Sequence, residues 1–207
     1  EAHHLAALVT QAAPATWRRD AVAGDFYAAK GLVEAVGAAA RVELAFAAPS
    51  AAPPFLHPGR AAVVHAGAVE LGWIGELHPQ IARAWDLESG AAFELDFDAL
   101  AAAAPQVEQF TDVTSFPAVR QDIAVVAPVG VEAAAIRAAV LEAGGELLEA
   151  AEVFDVYEGE QVGEGNRSLA LRLEFRAPDR TLTDEEVAAR RDAIEAALDQ
   201  MGASLRA

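Results

Sequence analysis

The chain has 207 residues, no cysteine, a single methionine (Met201), a single lysine (Lys30) and a net charge of −17, with 54% of its residues hydrophobic. Disulfides and thiolate metal sites are therefore excluded, and no apolar run approaches the roughly 18 residues of a membrane-spanning helix. Nor is there the broad basic surface on which non-specific nucleic-acid binding rests. The length suits one large or two small domains, each able to bury a core. With no basic-then-apolar leader, a soluble cytoplasmic protein fits best.

The chain opens at Glu1 without an initiator methionine and with no disordered tail, which predicts a fragment of a longer polypeptide. Residues 5–9 read as a helix-like run. From Asp25 to Val36, Phe26, Ala29, Leu32, Val33 and Val36 recur at helical spacing behind an Asp25 N-cap. Residues 41–46 alternate and predict a strand. Pro49, Pro53, Pro54 and Pro58 stiffen a loop around His57. Strands at about 61–66 and 70–77 flank Ala66-Gly67-Ala68 and predict a hairpin. His78-Pro79 ends the second, residues 81–85 suit a short helix, and the apolar–acidic alternation of 93–98 predicts another strand. This first part reads as an antiparallel sheet with one or two helices.

Four alanines at 101–104, Pro105 and an aperiodic stretch to Ser115 mark a join near residue 110, dividing the chain into domains 1–110 and 111–207. The second domain has a clearer order. A strand at 121–126 precedes a helix at 131–143 closed by Gly144-Gly145. A second strand follows at 147–157, a turn at 159–165, and a third strand at 168–175 with Leu169, Leu171, Leu173 and Phe175 on one face. Thr183-Asp184-Glu185-Glu186 is a capping box that opens a helix to about Met201, and Leu205 lies in a short closing strand. The order βαββαβ is that of the ferredoxin-like fold, an α+β architecture with both helices on one face of an antiparallel sheet.

That fold leaves one sheet face open. In Phe154-Asp155-Val156-Tyr157, strand alternation predicts Phe154 and Val156 on one side and Asp155 and Tyr157 on the other. If the first pair faces the helices, a carboxylate and a phenol stand together on the open face. A phenol ring is a stacking platform for a base, and a carboxylate can accept hydrogen bonds from the N1–H and N2–H of guanine. The same alternation also describes an ordinary half-exposed strand. Other combinations say less. His57, His65 and His78 with Glu76 lack the helical H-E-x-x-H spacing that brings imidazoles together. His3 and His4 adjoin and cannot share a face of a regular element. Asp179-Arg180-Thr181 is explained by a turn into the helix cap.

Residues 115–126, Phe154-Asp155-Val156-Tyr157-Glu158-Gly159, Ser168-Leu169-Ala170, residues 180–187 and Ala203-Ser204-Leu205-Arg206 resemble the ferredoxin-fold anticodon-binding domain. That domain closes the β subunit of bacterial phenylalanyl-tRNA synthetases. The resemblance extends upstream through Asp25-Phe26-Tyr27, Lys30-Gly31, His57-Pro58-Gly59-Arg60 and residues 72–79, which look like the end of the catalytically inactive class II-like domain of that subunit. It implies a C-terminal portion of an ATP-dependent phenylalanine–tRNA ligase, with aminoacylation on the α subunit and proofreading on an earlier β domain. No active site and no cofactor is expected in this chain; ATP and magnesium are expected elsewhere in the complete enzyme. In agreement, no G-x-x-x-x-G-K-[ST] phosphate loop is present.

The implied partners are tRNA(Phe), the α subunit and the remainder of the β subunit, with no membrane. The resemblance assigns Asp155 and Tyr157 to the first anticodon base, a guanine, and leaves Arg120, Arg167, Arg172 and Arg176 as candidate phosphate contacts. Even spacing opposite the leucine face places Arg172 and Arg176 on the open face as well. The alternative is that these arginines pair with the surplus of Asp and Glu. Relatives commonly carry a basic residue at the position of Gln121, so backbone contact there is expected to be weaker. A second reading makes the chain a scaffold for the α subunit and upstream β domains, with little RNA binding of its own.

Overall fold

A computed structural model describes residues 1–107 and 116–206, so the join expected near residue 110 lies outside the described residues. The chain divides into two compact units, Glu1–Phe110 and Thr111–Ala207. No helix among the described residues is long and apolar enough to cross a membrane.

The first unit begins with strand β1 (His4–Val9), a short ribbon of β2 (Gln11–Ala13) and β3 (Val22–Ala23), and helix α1 (Phe26–Ala40). It continues through β4 (Ala45–Ala47), β5 (Leu56–Ala66), β6 (Val69–Leu77), α2 (Pro79–Ala84), β7 (Ala91–Asp96) and α3 (Phe97–Ala103). The main sheet has the order β1-β7-β6-β5-β4, antiparallel throughout. One face of α1 buries Ala29 and Val33 against Val64, Leu71, Ile74, Phe93 and Leu95.

Several expectations need correction here. Residues 5–9 are a strand, not a helix. Their burial alternates with period two, and β7 supplies a partner along the whole length, from His4↔Asp96 to Val9↔Ala91. Asp25 does cap α1, accepting from the Ala28 amide at 2.9 Å. The helix, however, runs on to Ala40 and ends at Arg41 in the left-handed region, so the strand expected at 41–46 starts only at Ala45. The ribbon of β2 and β3 was not anticipated. The strand expected at 93–98 lies at 91–96, and its Asp96 becomes the N-cap of α3, which takes in alanines 101–103. At Gly72 the backbone adopts φ 152° with the Glu94 carbonyl where a Cβ would stand, so only glycine fits.

The second unit contains β8 (Val119–Pro128), α4 (Ala133–Gly144), β9 (Leu148–Tyr157), β10 (Asn166–Phe175), α5 (Asp184–Gln200) and β11 (Ser204–Leu205). The sheet order β11-β8-β10-β9, all antiparallel, is the ferredoxin-like arrangement. Ile136 and Val140 of α4 and Val187, Ile194 and Leu198 of α5 share one core with Ile123, Val125, Leu169, Leu171, Leu173 and Phe175. Both helices therefore cover the same sheet face. The capping box is complete: Glu186 N–H donates to Thr183 Oγ1 at 3.3 Å, and Thr183 N–H donates to Glu186 Oε2 at 3.0 Å.

Candidate nucleic-acid interface

The face opposite the helices is built by cross-strand pairing. Paired residues share a face, and β10 sets the standard, since Leu169, Leu171, Leu173 and Phe175 are all fully buried. Ser168, Ala170, Arg172 and Glu174 therefore lie on the open side. Their partners on β8 include Arg120 and Asp122; on β9 they are Tyr157, Asp155, Glu152 and Ala150. Asp155 and Tyr157 thus stand on the open face, two residues apart on an edge strand.

A β-bulge puts them there. Ala170 pairs with Asp155 and Leu171 pairs with Val153, so Phe154 is an extra residue in β9. Strict alternation from Ala151 and Val153, which pack in the core, would send Asp155 and Tyr157 toward the helices. One inserted residue reverses the alternation and turns both outward. The expectation for Phe154 is accordingly corrected. It does not join Val156 on the helix side. Its ring lies on the open face, 4.9 Å from the guanidinium carbon of Arg172, and Phe154 is 49% exposed while Tyr157 is 41% exposed.

Local contacts orient the pair. The Val156 N–H donates to Asp155 Oδ1 at 3.0 Å, fixing one carboxylate oxygen. The Tyr157 ring folds over Gly159, whose backbone is extended; a Cβ at that position would stand 2.6 Å from Tyr157 Cζ.

The arginines are each engaged by protein groups. Arg172 binds Asp122 through Nε and Nη2, both at 3.0 Å. Arg120 reaches Glu174 at 3.2 Å. Arg176 bonds Glu149 and Glu174, each at 2.8 Å, and the Phe116 carbonyl at 3.2 Å. The Arg172 guanidinium holds the Asp122 carboxyl below its ordinary pKa, and Arg120, followed by Arg176, does the same for Glu174. Arg167 stands apart. On β10 it shares the parity of Leu169, away from the open face, with Nη2 donating to the Val131 carbonyl at 2.8 Å and Nε buried without a partner. Gln121 pairs with Leu173 and also belongs to the helix side. On the open face Tyr157 and Asp155 thus stand beside Ser168 and Ala170, Arg172 comes next along β10, and Arg120 lies farther on beside Glu174, which also holds Arg176 at the margin; Arg167 is left out. Phe154 is the open-face aromatic that alternation alone assigned to the wrong side.

His57, at the start of β5, and His78, the N-cap of α2, are engaged by nearby backbone amides. His57 Nδ1 accepts from the Gly59 amide at 3.1 Å, and His78 Nδ1 accepts from the Gln80 amide at 3.2 Å. Glu76 pairs with Arg60 at 2.7 Å. Among the described residues no group of three or more His, Asp or Glu side chains could hold a metal ion.

Two family models match the chain. Residues 114–206 match the ferredoxin-fold anticodon binding domain, and residues 1–97 match the phenylalanyl tRNA synthetase beta chain CLM domain. Curated relatives named phenylalanine–tRNA ligase beta subunit agree. The protein of Moorella thermoacetica is 48% identical over 98% of this chain and 25% of its own length. That of Symbiobacterium thermophilum is 43% identical over 97% of this chain and 22% of its own length. That of Nocardia farcinica is 46% identical over 91% of this chain and 22% of its own length. The chain spans about a quarter of the length of the relatives it matches.

Proposed function

The chain belongs to the phenylalanine–tRNA ligase β-subunit family, corresponding to its C-terminal portion, and we propose that its second unit reads the anticodon loop of tRNA(Phe) on the open sheet face. Asp155 accepts hydrogen bonds from the first anticodon base, a guanine, and Tyr157 stacks on it. The observation that carries this reading is the bulge at Phe154, which turns the carboxylate and the phenol outward together. Stacking of one base contributes about 1–3 kcal/mol. A paired set of hydrogen bonds gives discrimination of similar size.

Electrostatics favour short-range reading over backbone grip. The arginines of this face are paired with Asp122, Glu149 and Glu174, with the charge of Glu152 also acting on Arg172, so a phosphate must displace a carboxylate to reach a guanidinium. Long-range repulsion from a chain of net charge −17 is screened beyond about 8–10 Å at physiological salt. The loop is therefore read at short range, by direct contact with the sheet. In this reading the α subunit and the rest of the β subunit hold the tRNA body, aminoacylation with ATP and magnesium takes place outside this chain, and the assembly works in the cytoplasm.

The first unit has a different role in the same proposal. Trp17, Tyr27 and Trp85 are each more than three-quarters exposed, which suits residues that dock on other parts of the synthetase. The reading is tested by Tyr157→Ala. It lowers affinity for a tRNA(Phe) anticodon stem-loop while the melting temperature stays unchanged; equal loss of binding and stability would make Tyr157 a packing residue.

A further inference from the structure

We propose that Phe154 and Arg172 form a second base-binding station on this face, which takes an unpaired nucleotide next to the one assigned to Asp155 and Tyr157. The inference rests on the anticodon-reading proposal and extends it to a neighbouring base. An exposed phenylalanine in a strand normally loses by staying in water, since its ring would gain from burial. Here the bulge holds it outward, on the same side as Tyr157 and three residues away, about 10 Å along the strand at the usual rise. A four-stranded sheet that presents two such aromatics is the arrangement that stacks two or three splayed bases of single-stranded RNA.

Arg172 completes the station. Its guanidinium lies over the Phe154 ring at 4.9 Å and is gripped by both oxygens of Asp122 at 3.0 Å. Asp122, Arg172 and Phe154 thus form a ladder across β8, β10 and β9. The ladder fixes the plane of a guanidinium, which like an aromatic ring offers a surface for a base. Because Asp122 neutralises the cation, the station binds through stacking and not through phosphate attraction. It adds contact with the loop without adding affinity for nucleic acid at large.

The test uses the full chain and chemically made tRNA(Phe) anticodon stem-loops that carry a single abasic nucleotide at each loop position in turn. Phe154→Ala is expected to weaken binding of the intact loop about tenfold, Phe154→Leu to do the same, and Phe154→Trp to restore it, all three with unchanged melting. The loss is expected to vanish for one abasic loop, the one lacking a base adjacent to the first anticodon base. Tyr157→Ala should instead lose its effect only when the first base itself is missing. If Phe154→Ala binds like wild type while Tyr157→Ala does not, the second station is overturned and first-base reading stands. If both substitutions couple to the first base alone, Phe154 belongs to that site and the proposal again fails. If the wild-type chain binds no loop, anticodon reading by this chain falls and the second station with it.

Discussion

The ring of Tyr157 lies directly over Gly159, close enough that a single methyl group at residue 159 would stand 2.6 Å from Cζ and 3.1 Å from Cε1. Gly159 has an extended backbone that any residue can adopt, so its importance lies in the space it leaves.

Gly159→Ala is therefore expected to redirect the phenol without unfolding the domain. The clash falls on the end of a flexible side chain, which swings away at little cost. Melting should shift by no more than a degree or two, since changes of a few tenths of a kcal/mol have effects of that size. Affinity for a guanine-bearing loop should fall toward that of Tyr157→Ala. Unchanged affinity would show that the observed ring position is not the binding one.

Asp122→Asn releases Arg172 from its carboxylate partner. One further cation then becomes available to phosphate, so loop affinity should rise and its dependence on salt should steepen by about 0.7 in the log–log slope, the value for one added contact on a single strand. Titrations at several salt concentrations decide the matter. An unaltered slope would mean that Arg172 stays committed to Phe154 and to protein contacts.

The sheet-face ion pairs also predict an acid dependence. Asp122 and Glu174 have native pKa values held below their ordinary ones by Arg172 and Arg120. The folded form therefore binds fewer protons than the unfolded chain in that range. Their stabilisation is present in full above the unfolded pKa values near about 4, and is lost as pH falls through the lowered native values. Urea unfolding of wild type and Arg172→Gln should thus converge on acidification below about pH 4 and differ above it, by the small amount expected of exposed pairs. A constant difference down to the most acidic point would show that the pair is not linked to proton uptake.

Thr183→Ala provides a control on the helix side. Both arms of the capping box at the start of α5 depend on the position, one through the hydroxyl. Losing it should cost about 1 kcal/mol of stability and leave loop affinity untouched at a temperature where the domain stays folded. A matching loss of binding would mean that the open face senses the helix layer.

Features encoded by neighbouring residues were legible in the sequence, and features made by pairing across long separations were not. The capping box at Thr183–Glu186, the glycine pair that ends α4 (Gly144 its last residue, Gly145 its C-cap) and the period-two leucines of β10 each need only a short window, and each matches the structure. Six residues such as 4–9 do not separate helix from strand by periodicity, and the partner that decides the matter, β7, lies more than eighty residues on. The bulge at Phe154 exists only relative to β10, so alternation read within β9 placed Asp155, Val156 and Tyr157 correctly while misplacing Phe154. Likewise the carboxylate that holds Arg172 is fifty residues away in sequence, and acidic composition alone could not name it.

The measurement that bears most directly on the central claim is a titration of the full chain with tRNA(Phe) anticodon stem-loops carrying guanine or adenine at the first anticodon position, at two salt concentrations, for wild type and Asp155→Ala. The account predicts that wild type prefers guanine by about tenfold or more, that the preference persists at the higher salt, and that Asp155→Ala abolishes it with the fold intact. Equal binding of the two loops by wild type, or a guanine preference that survives Asp155→Ala, would contradict base reading by this strand.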